Sequence, residues 1–287
     1  MTDLPTRTIG DLTVSAIGLG AMPLSMKPGE PGPEQAEQVV HAALDAGVTL
    51  IDTADAYSPD GRLGHNEEVI ASALRSYGGD TSGVVVATKG GHTRDGAEWN
   101  LDGHPDYLRS ACEASLRRLG TDGIGLYQHH RPDPAVPYAE TMGGLRALVD
   151  AGLVQRVGIS NANPEQIRQA REIVGDALVS VQNELSPRFR SSLPEVDVCA
   201  ELGLAFLPWS PLGGTGKAAE LGAEHDAFAS VAAELDVSPQ QVALAWLLGL
   251  SPNVIPIPGA SRPASIESSA QATRLTLSAD QTARLSA

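Results

Sequence analysis

Short apolar runs and stretches of helical period alternate along the chain. Val48–Ile51, Val84–Ala87, Ile124–Tyr127, Arg156–Ile159, Leu178–Val181, Leu204–Leu207 and Val254–Ile257 read as brief buried strands, and Ala16–Gly20 stands ahead of them as the first. Between them, apolar residues recur at helical spacing over Pro33–Ala46, Asn66–Arg75, Pro105–Leu119, Tyr138–Ala151, Pro164–Ile173 and Pro194–Leu202. Several of these stretches stop at a glycine (Gly47, Gly120, Gly152, Gly203), the residue that most easily ends a helix. Ala223–Leu235 and Pro239–Leu248 precede the last strand, and Pro263–Ala270 and Ser278–Leu285 follow it. Near the start, Thr6–Ile9 and Leu12–Val14 flank Gly10-Asp11 and predict a β-hairpin.

Strands separated by helices imply right-handed crossovers and a parallel sheet. Eight of them is the number that closes a (β/α)8 barrel. An open doubly wound sheet is the competitor. It usually carries an early GxGxxG turn, but Gly18-Leu19-Gly20 leads to Pro23 where the third glycine would stand. The pattern therefore predicts α/β architecture, a TIM-type (β/α)8 barrel, with the hairpin as an N-terminal cap and extra C-terminal helices. With 287 residues and no linker or repeat beyond the βα rhythm, residues 1–287 read as a single domain.

Composition narrows the functional classes. A net charge of −15, spread along the chain, argues against nucleic-acid and anionic-membrane partners, which require basic patches. The two cysteines, Cys112 and Cys199, sit in helix-like apolar segments without metal spacing and read as reduced core residues, which fits a cytoplasmic protein. No metal site is expected. The N-terminal stretch MTDLPTRTIG carries no apolar core of a signal peptide. Nothing in the sequence sets the oligomeric state.

The candidate chemistry lies where strands end in polar residues. Leu50–Tyr57 reads LIDTADAY, an apolar strand running into Asp52, Asp55 and Tyr57. Lys89 ends the third strand, and His129 and His130 end the fourth. In a barrel these ends share one mouth, where active sites are built. Each alone is most simply a solvated or packing residue. Together they suggest a proton-donating site: a phenol titrates near ~10 in water, and an adjacent ammonium stabilises the phenolate and lowers that value. A carboxylate would hold the ammonium, and a histidine could donate to an oxygen on which negative charge develops.

These stretches resemble the aldo-keto reductases. The resemblance is carried by Ile17–Gly20, Asp-Thr-Ala-x-x-Tyr at Asp52–Tyr57, Thr88-Lys89, Leu-Tyr-Gln-x-His-x-Pro at Leu126–Pro132, Gly-Ile-Ser-Asn at Gly158–Asn161, Val-Gln-Asn-Glu at Val181–Glu184 and Trp-Ser-Pro-Leu-Gly-Gly at Trp209–Gly214. It implies NADPH-dependent reduction of an aldehyde or ketone, with NADH as a second cofactor candidate. The catalytic set would be Asp52, Tyr57, Lys89 and His130, with Tyr57 as general acid and Lys89, paired to Asp52, lowering its pKa. The family histidine falls on His130. His129 takes a position that is usually apolar and reads as a packing residue or as one that supports the site from behind, since strand neighbours point to opposite faces. Asp55 is no family catalytic position and reads as a loop residue.

The same resemblance places the cofactor on Gly20, Ala21, Met22, Asp52, Ser160, Asn161, Gln182, Trp209, Ser210, Pro211, Leu212, Gly213, Gly214, Lys217, Gly259, Ala260, Ser261, Arg262, Ser265 and Ser269. Ser160, Asn161 and Gln182 would hold the carboxamide, and Trp209 would either stack on the nicotinamide or pack in the core. The Ser210–Gly214 loop, with Lys217, would cradle pyrophosphate. Arg262, opening a helix, would meet a 2′-phosphate or be a plain surface charge. Where the family often carries an acid or amide pair that reads adenine, this chain has Ser268 and Ser269. The carbonyl substrate, a small molecule of unnamed class, would meet Met22, Tyr57, Trp99, His130 and the loops 90–104 and 215–223. The first loop reads as either a mobile flap with an aromatic lid or an ordinary surface loop. Two rivals remain: a non-catalytic NADPH-binding, redox-reading subunit, and a barrel lyase or isomerase with Lys89 as a Schiff-base residue.

Overall fold

The computed structural model describes residues 4–26, 31–214 and 216–287. Strands β1 (Thr6–Ile9), β2 (Leu12–Ser15), β3 (Leu19–Gly20), β4 (Leu50–Asp52), β5 (Val85–Gly90), β6 (His92–Asp95), β7 (Glu98–Leu101), β8 (Leu126–His129), β9 (Val157–Ser160), β10 (Leu178–Gln182) and β11 (Ala205–Phe206) follow in order. Helices α1 (Pro33–Asp45), α2 (His65–Ser76), α3 (Pro105–Leu119), α4 (Tyr138–Asp150), α5 (Pro164–Val174) and α6 (Leu193–Leu202) fall between them. After β11 come α7 (Leu221–Glu224), α8 (Asp226–Leu235), α9 (Pro239–Leu250), α10 (Pro263–Gln271) and α11 (Ala279–Ser286).

Seven strands form one parallel sheet in the order β3-β4-β5-β8-β9-β10-β11. Residues 254–259 supply the eighth stave, although Pro256 and Pro258 keep it from forming a regular strand. Ile255 N–H donates to Phe206 O (2.8 Å) on one side. On the other, the Pro256 and Pro258 carbonyls accept from Gly18 N–H and Gly20 N–H (2.9 and 3.0 Å). Proline lacks a donor but keeps its carbonyl, and here only the carbonyl is used on that side. Parallel bridges Phe206–Val254 and Gly20–Gly259 join both edges, and the barrel is closed. Gly20 is required at the seam: a Cβ there would lie 2.7 Å from Ile257 O.

Alternation divides the core in two. Leu50, Ala87, Leu126, Ala205, Leu207, Ile255 and Ile257 fill the barrel interior, whereas Ile51, Tyr127, Ile159, Val181 and Phe206 pack outward under the helices. The β1–β2 hairpin seals the end of the barrel opposite the polar strand ends, with Ile9 and Val14 joining the interior cluster. Arg7 fixes it there, donating to Leu248 O (2.6 Å), Ser251 O (2.8 Å) and Val254 O. Among the described residues, no helix is long and apolar enough to cross a membrane.

The 90–104 stretch is more regular than an ordinary surface loop: it holds the antiparallel β6–β7 hairpin, in register from His92–Leu101 to Asp95–Glu98. Its two-residue turn starts at Gly96 (φ +55°), the place where a tight hairpin wants glycine.

Candidate active site

The interior parity that buries Leu50, Ala87 and Leu126 carries on past the apolar runs. Two residues further, the same inward face presents Asp52, Lys89 and Gln128, and one step beyond that His130. The ladders run through these polar ends, pairing Asp52 with Ala87 and Lys89 with Gln128.

Lys89 is fully buried. Its Nζ donates to Asp52 Oδ1 (2.5 Å), Thr53 O (3.0 Å) and the Tyr57 hydroxyl (3.1 Å). Asp52 Oδ2 accepts from Gln128 Nε2 (2.9 Å) and Gln182 Nε2 (2.7 Å). Gln128 reaches this point over Gly158, where a Cβ would sit 2.8 Å from its Cγ. A buried ion pair is tolerable only when its remaining polar atoms are satisfied, and here the two glutamines complete the carboxylate. Burial alone would push the Lys89 ammonium down, but Asp52 and Tyr57 outweigh it and hold the pKa above its ordinary value.

The sign at Tyr57 differs from the expectation. Burial pushes the phenol above its ordinary value, and the pull of Lys89 in the other direction does not overcome it. Low dielectric penalises the phenolate more than one ammonium, itself neutralised by Asp52, can repay. Tyr57 therefore holds its proton at neutral pH.

His130 lies edge-on to Tyr57, ring centroids 5.5 Å apart. Burial, then the charge of Lys89, keeps its imidazole neutral far below the usual histidine range. His129 points the other way, fully buried 6.5 Å from the Tyr138 ring, with no partner on either nitrogen among the described residues. It is the packing residue expected. Asp55 lies in the turn after β4, the loop position expected, but it is buried there: it is 1% exposed, one carboxylate oxygen has no partner among the described residues, and burial, then Glu67, raises its pKa well above the usual range.

A second network fixes the Tyr57 loop. The buried Asn66 donates to Ala21 O (2.9 Å) and Ser25 Oγ (2.6 Å), and accepts from Thr53 Oγ1 (2.5 Å). Ser25 Oγ in turn donates to Tyr57 O (3.0 Å). From the other side, Arg94 on β6 donates to Ala56 O (2.8 Å) and Ser58 O (3.2 Å), the carbonyls flanking Tyr57, and stacks 4.2 Å over Trp99.

Above these residues opens a cleft of about 990 Å³. Of the residues expected to bind cofactor or substrate, Gly20, Met22, Asp52, Tyr57, Trp99, His130, Ser160, Asn161, Gln182, Trp209, Ser210, Pro211, Leu212, Gly214, Gly259, Ala260, Ser261, Arg262 and Ser265 line it. Ala21 and Ser269 are buried, and neither they nor Gly213 borders the cleft. Lys217 does not border it either, and its ammonium is paired with Glu220 (2.5 Å). From the 215–223 loop, Gly216, Ala218 and Ala219 line the cleft, and Thr215 lies outside the described residues. His92, inside the 90–104 loop expected to meet substrate but not singled out there, also lines it, as do Arg131, Gln35 and Ile257, which were missed from sequence. His92 sits on the Lys89 strand side of the hairpin turn signal Asp95-Gly96, so reading that signal would have placed it at the mouth.

The carboxamide contacts need adjustment. Ser160 Oγ donates to Gln182 O (2.6 Å), Asn161 Nδ2 donates to His130 O and Ser160 Oγ (both 3.0 Å), and Gln182 Nε2 is held by Asp52. Their donors are committed to the protein, which leaves the amide oxygens Asn161 Oδ1 and Gln182 Oε1 as the acceptors without a donor among the described residues. Asn161 and Ser210 hold left-handed φ of +58° and +49°, uncommon for residues other than glycine and frequent at ligand sites. Trp209 Nε1 is buried without a partner among the described residues. Gly214 and Gly216, both at positive φ, leave open space where a Cβ would be. Bare backbone, an aromatic wall and the cationic Arg262 ahead of α10 suit a dinucleotide carrying phosphates.

A closed barrel with a buried lysine–carboxylate–phenol unit under a nucleotide-sized cleft defines an oxidoreductase of the barrel type. The chain belongs to the aldo/keto reductase family, whose model matches residues 16–287. It is 34% identical over 98% of its length to an uncharacterised oxidoreductase of Schizosaccharomyces pombe, of which 88% is covered. Among solved structures, a glycerol dehydrogenase from Gluconobacter oxydans superposes with a TM-score of 0.84 at 26% identity, over 98% of this chain and 94% of that one. An aldo/keto reductase from Klebsiella pneumoniae in complex with NADP and acetate superposes with a TM-score of 0.79 at 28% identity, over the same shares.

Proposed function

We propose that the chain is an NADPH-dependent carbonyl reductase of the alcohol dehydrogenase type, reducing an aldehyde or ketone to its alcohol with Tyr57 as general acid. One observation carries this reading: a protonated phenol, hydrogen-bonded to a buried ammonium 3.1 Å away, stands at the floor of an open cleft. NADPH, when bound, supplies the hydride. The chain's own residues handle the oxygen. The neutral His130 and the Tyr57 hydroxyl together bind the carbonyl oxygen and orient it. As charge develops there, Tyr57 gives up its proton. Lys89 stabilises the phenolate that remains, and Asp52, held by Gln128 and Gln182, keeps Lys89 charged and in place. Trp209, Asn161 and Gln182 would hold the nicotinamide, and Arg262 with Ser261 the ribose phosphate. The Asp52 pairing argues against a Schiff-base role for Lys89, which requires a neutral amine. Two buried, unpaired cysteines support a cytoplasmic setting.

The test is consumption of NADPH and NADH with a panel of carbonyls that includes a nitrobenzaldehyde. Turnover with NADPH is expected. Tight NADPH binding without turnover of any carbonyl would favour the redox-reading subunit instead.

A further inference from the structure

His92 is buried at the edge of the cleft, where its ring stands edge-on to His130 (4.4 Å) and to Trp99 (5.1 Å). Its Nδ1 lies 3.0 Å from Asn100 O, across the β6–β7 ladder. A carbonyl oxygen only accepts, so Nδ1 carries the hydrogen. Burial lowers the pKa of this imidazole, which keeps it neutral. The remaining nitrogen, Nε2, is then a lone-pair acceptor, and it has no partner among the described residues.

The polar groups at the reacting end of the cleft thus differ in kind. Tyr57 and His130 offer hydrogens to the carbonyl oxygen. His92, its ring centroid 4.4 Å from that of His130, offers a lone pair. An apolar substrate would leave that acceptor without a partner behind an aromatic wall, at a cost in affinity.

We propose that His92 accepts a hydrogen bond from a substrate hydroxyl one or two carbons from the reacting carbonyl, so that the enzyme selects hydroxy-aldehydes and hydroxy-ketones. The inference rests on the reductase reading and adds a substrate class to it. Trp99, clamped by Arg94, closes the same wall and limits the approach of bulkier groups.

The test uses pairs of equal size: hydroxyacetone against butanone, and 4-hydroxy-2-butanone against 2-pentanone. Each pair exchanges a hydroxyl for a methyl. The parent should favour the hydroxylated member of at least one pair in kcat/KM by about tenfold, the net value of one hydrogen bond in a desolvated site. In His92→Phe, which keeps the ring edge and lacks the acceptor, the ratio should fall toward one. In His92→Gln, whose amide oxygen can accept, part of it should return. The ratio is read within each protein, so a general loss of activity does not blur it. A parent without preference, or a His92→Phe variant that keeps it, would overturn the proposal. Absence of turnover with every carbonyl, nitrobenzaldehyde included, would instead sink the reductase reading and this inference with it.

Discussion

Tyr57 and His129 show the same physics with opposite use. Burial raises the phenol above its ordinary value of 10.0, so the acid form persists through neutral pH. Since the protonated form is the active one, kcat should stay level from about pH 6 to 9 and fall only beyond the ordinary phenol range of ~10. His130, held neutral, adds no acid limb in that window. A decline centred near neutrality would contradict both assignments. His129 has no partner among the described residues, and burial lowers its pKa to about 4 from 6.5. Between those values the unfolded chain binds a proton that the fold does not, so stability is full above 6.5 and falls as pH drops toward 4. From pH 7 to pH 5 this amounts to about 2 kcal/mol. Urea unfolding at both pH values should find that loss smaller by about 2 kcal/mol in His129→Leu; an equal loss would exclude it. At the cleft rim, Arg262→Ala should raise the KM for NADPH about tenfold and leave that for NADH unchanged. An unaltered cofactor ratio would remove Arg262 from the site. At this scale the sequence was most readable where apolar strands end in polar residues, at Asp52, Lys89 and His130, with alternation separating His130 from His129. Lys217 stands outside the cleft lining and pairs with Glu220, three residues on, a partner that a positive charge beside glycines does not announce.

Among the elements, most helices were legible to within two residues, helped where a proline starts or a glycine stops them; the exception is 223–235, read as one helix but divided at His225 into α7 and α8. Strands were placed well but cut short. The apolar runs end at Ile51, Ala87 and Tyr127, while the ladders continue through Asp52, Gly90 and His129. Hydropathy marks what is buried among apolar atoms, and the mouth of this barrel is buried among polar ones. The eighth stave was read as a strand, yet its prolines allow only a ladder of bare bonds. The β6–β7 hairpin went unread although Asp95-Gly96 is a turn signal, because its strands are polar and lack alternation. This hairpin carries His92 and Trp99 to the cleft, and Arg94 ties it to the Tyr57 loop through two carbonyls. Arg94→Ala should lower kcat/KM about tenfold, with faster amide exchange over residues 92–101 and 56–58. Unchanged exchange in both segments would show that Arg94 does not clasp them.

For the whole molecule, chemistry and stability occupy opposite ends of the barrel. The polar strand ends form the cleft, and the β1–β2 hairpin closes the other mouth with Ile9, Val14 and Arg7. That division was foreseeable from the hairpin signal. The contact of Arg7 with three carbonyls, more than two hundred residues away in sequence, was not, since no local pattern encodes it. Arg7→Ala should cost about 2–4 kcal/mol, read by thermal or urea unfolding, because charged hydrogen bonds are lost and carbonyls are left buried. Activity per folded molecule should remain as in the parent, the site lying at the other mouth. A large loss of activity at full stability would break the separation of the two ends.

The central claim is that Tyr57 delivers the proton from a site whose other members serve it. Its most direct test is Tyr57→Phe, with turnover and NADPH affinity measured on the same preparation. The loss of a positioned proton donor predicts a fall in kcat of about 10²–10⁴ with NADPH affinity within about threefold of the parent. A Phe variant that turns over carbonyls at the parental rate would contradict the account.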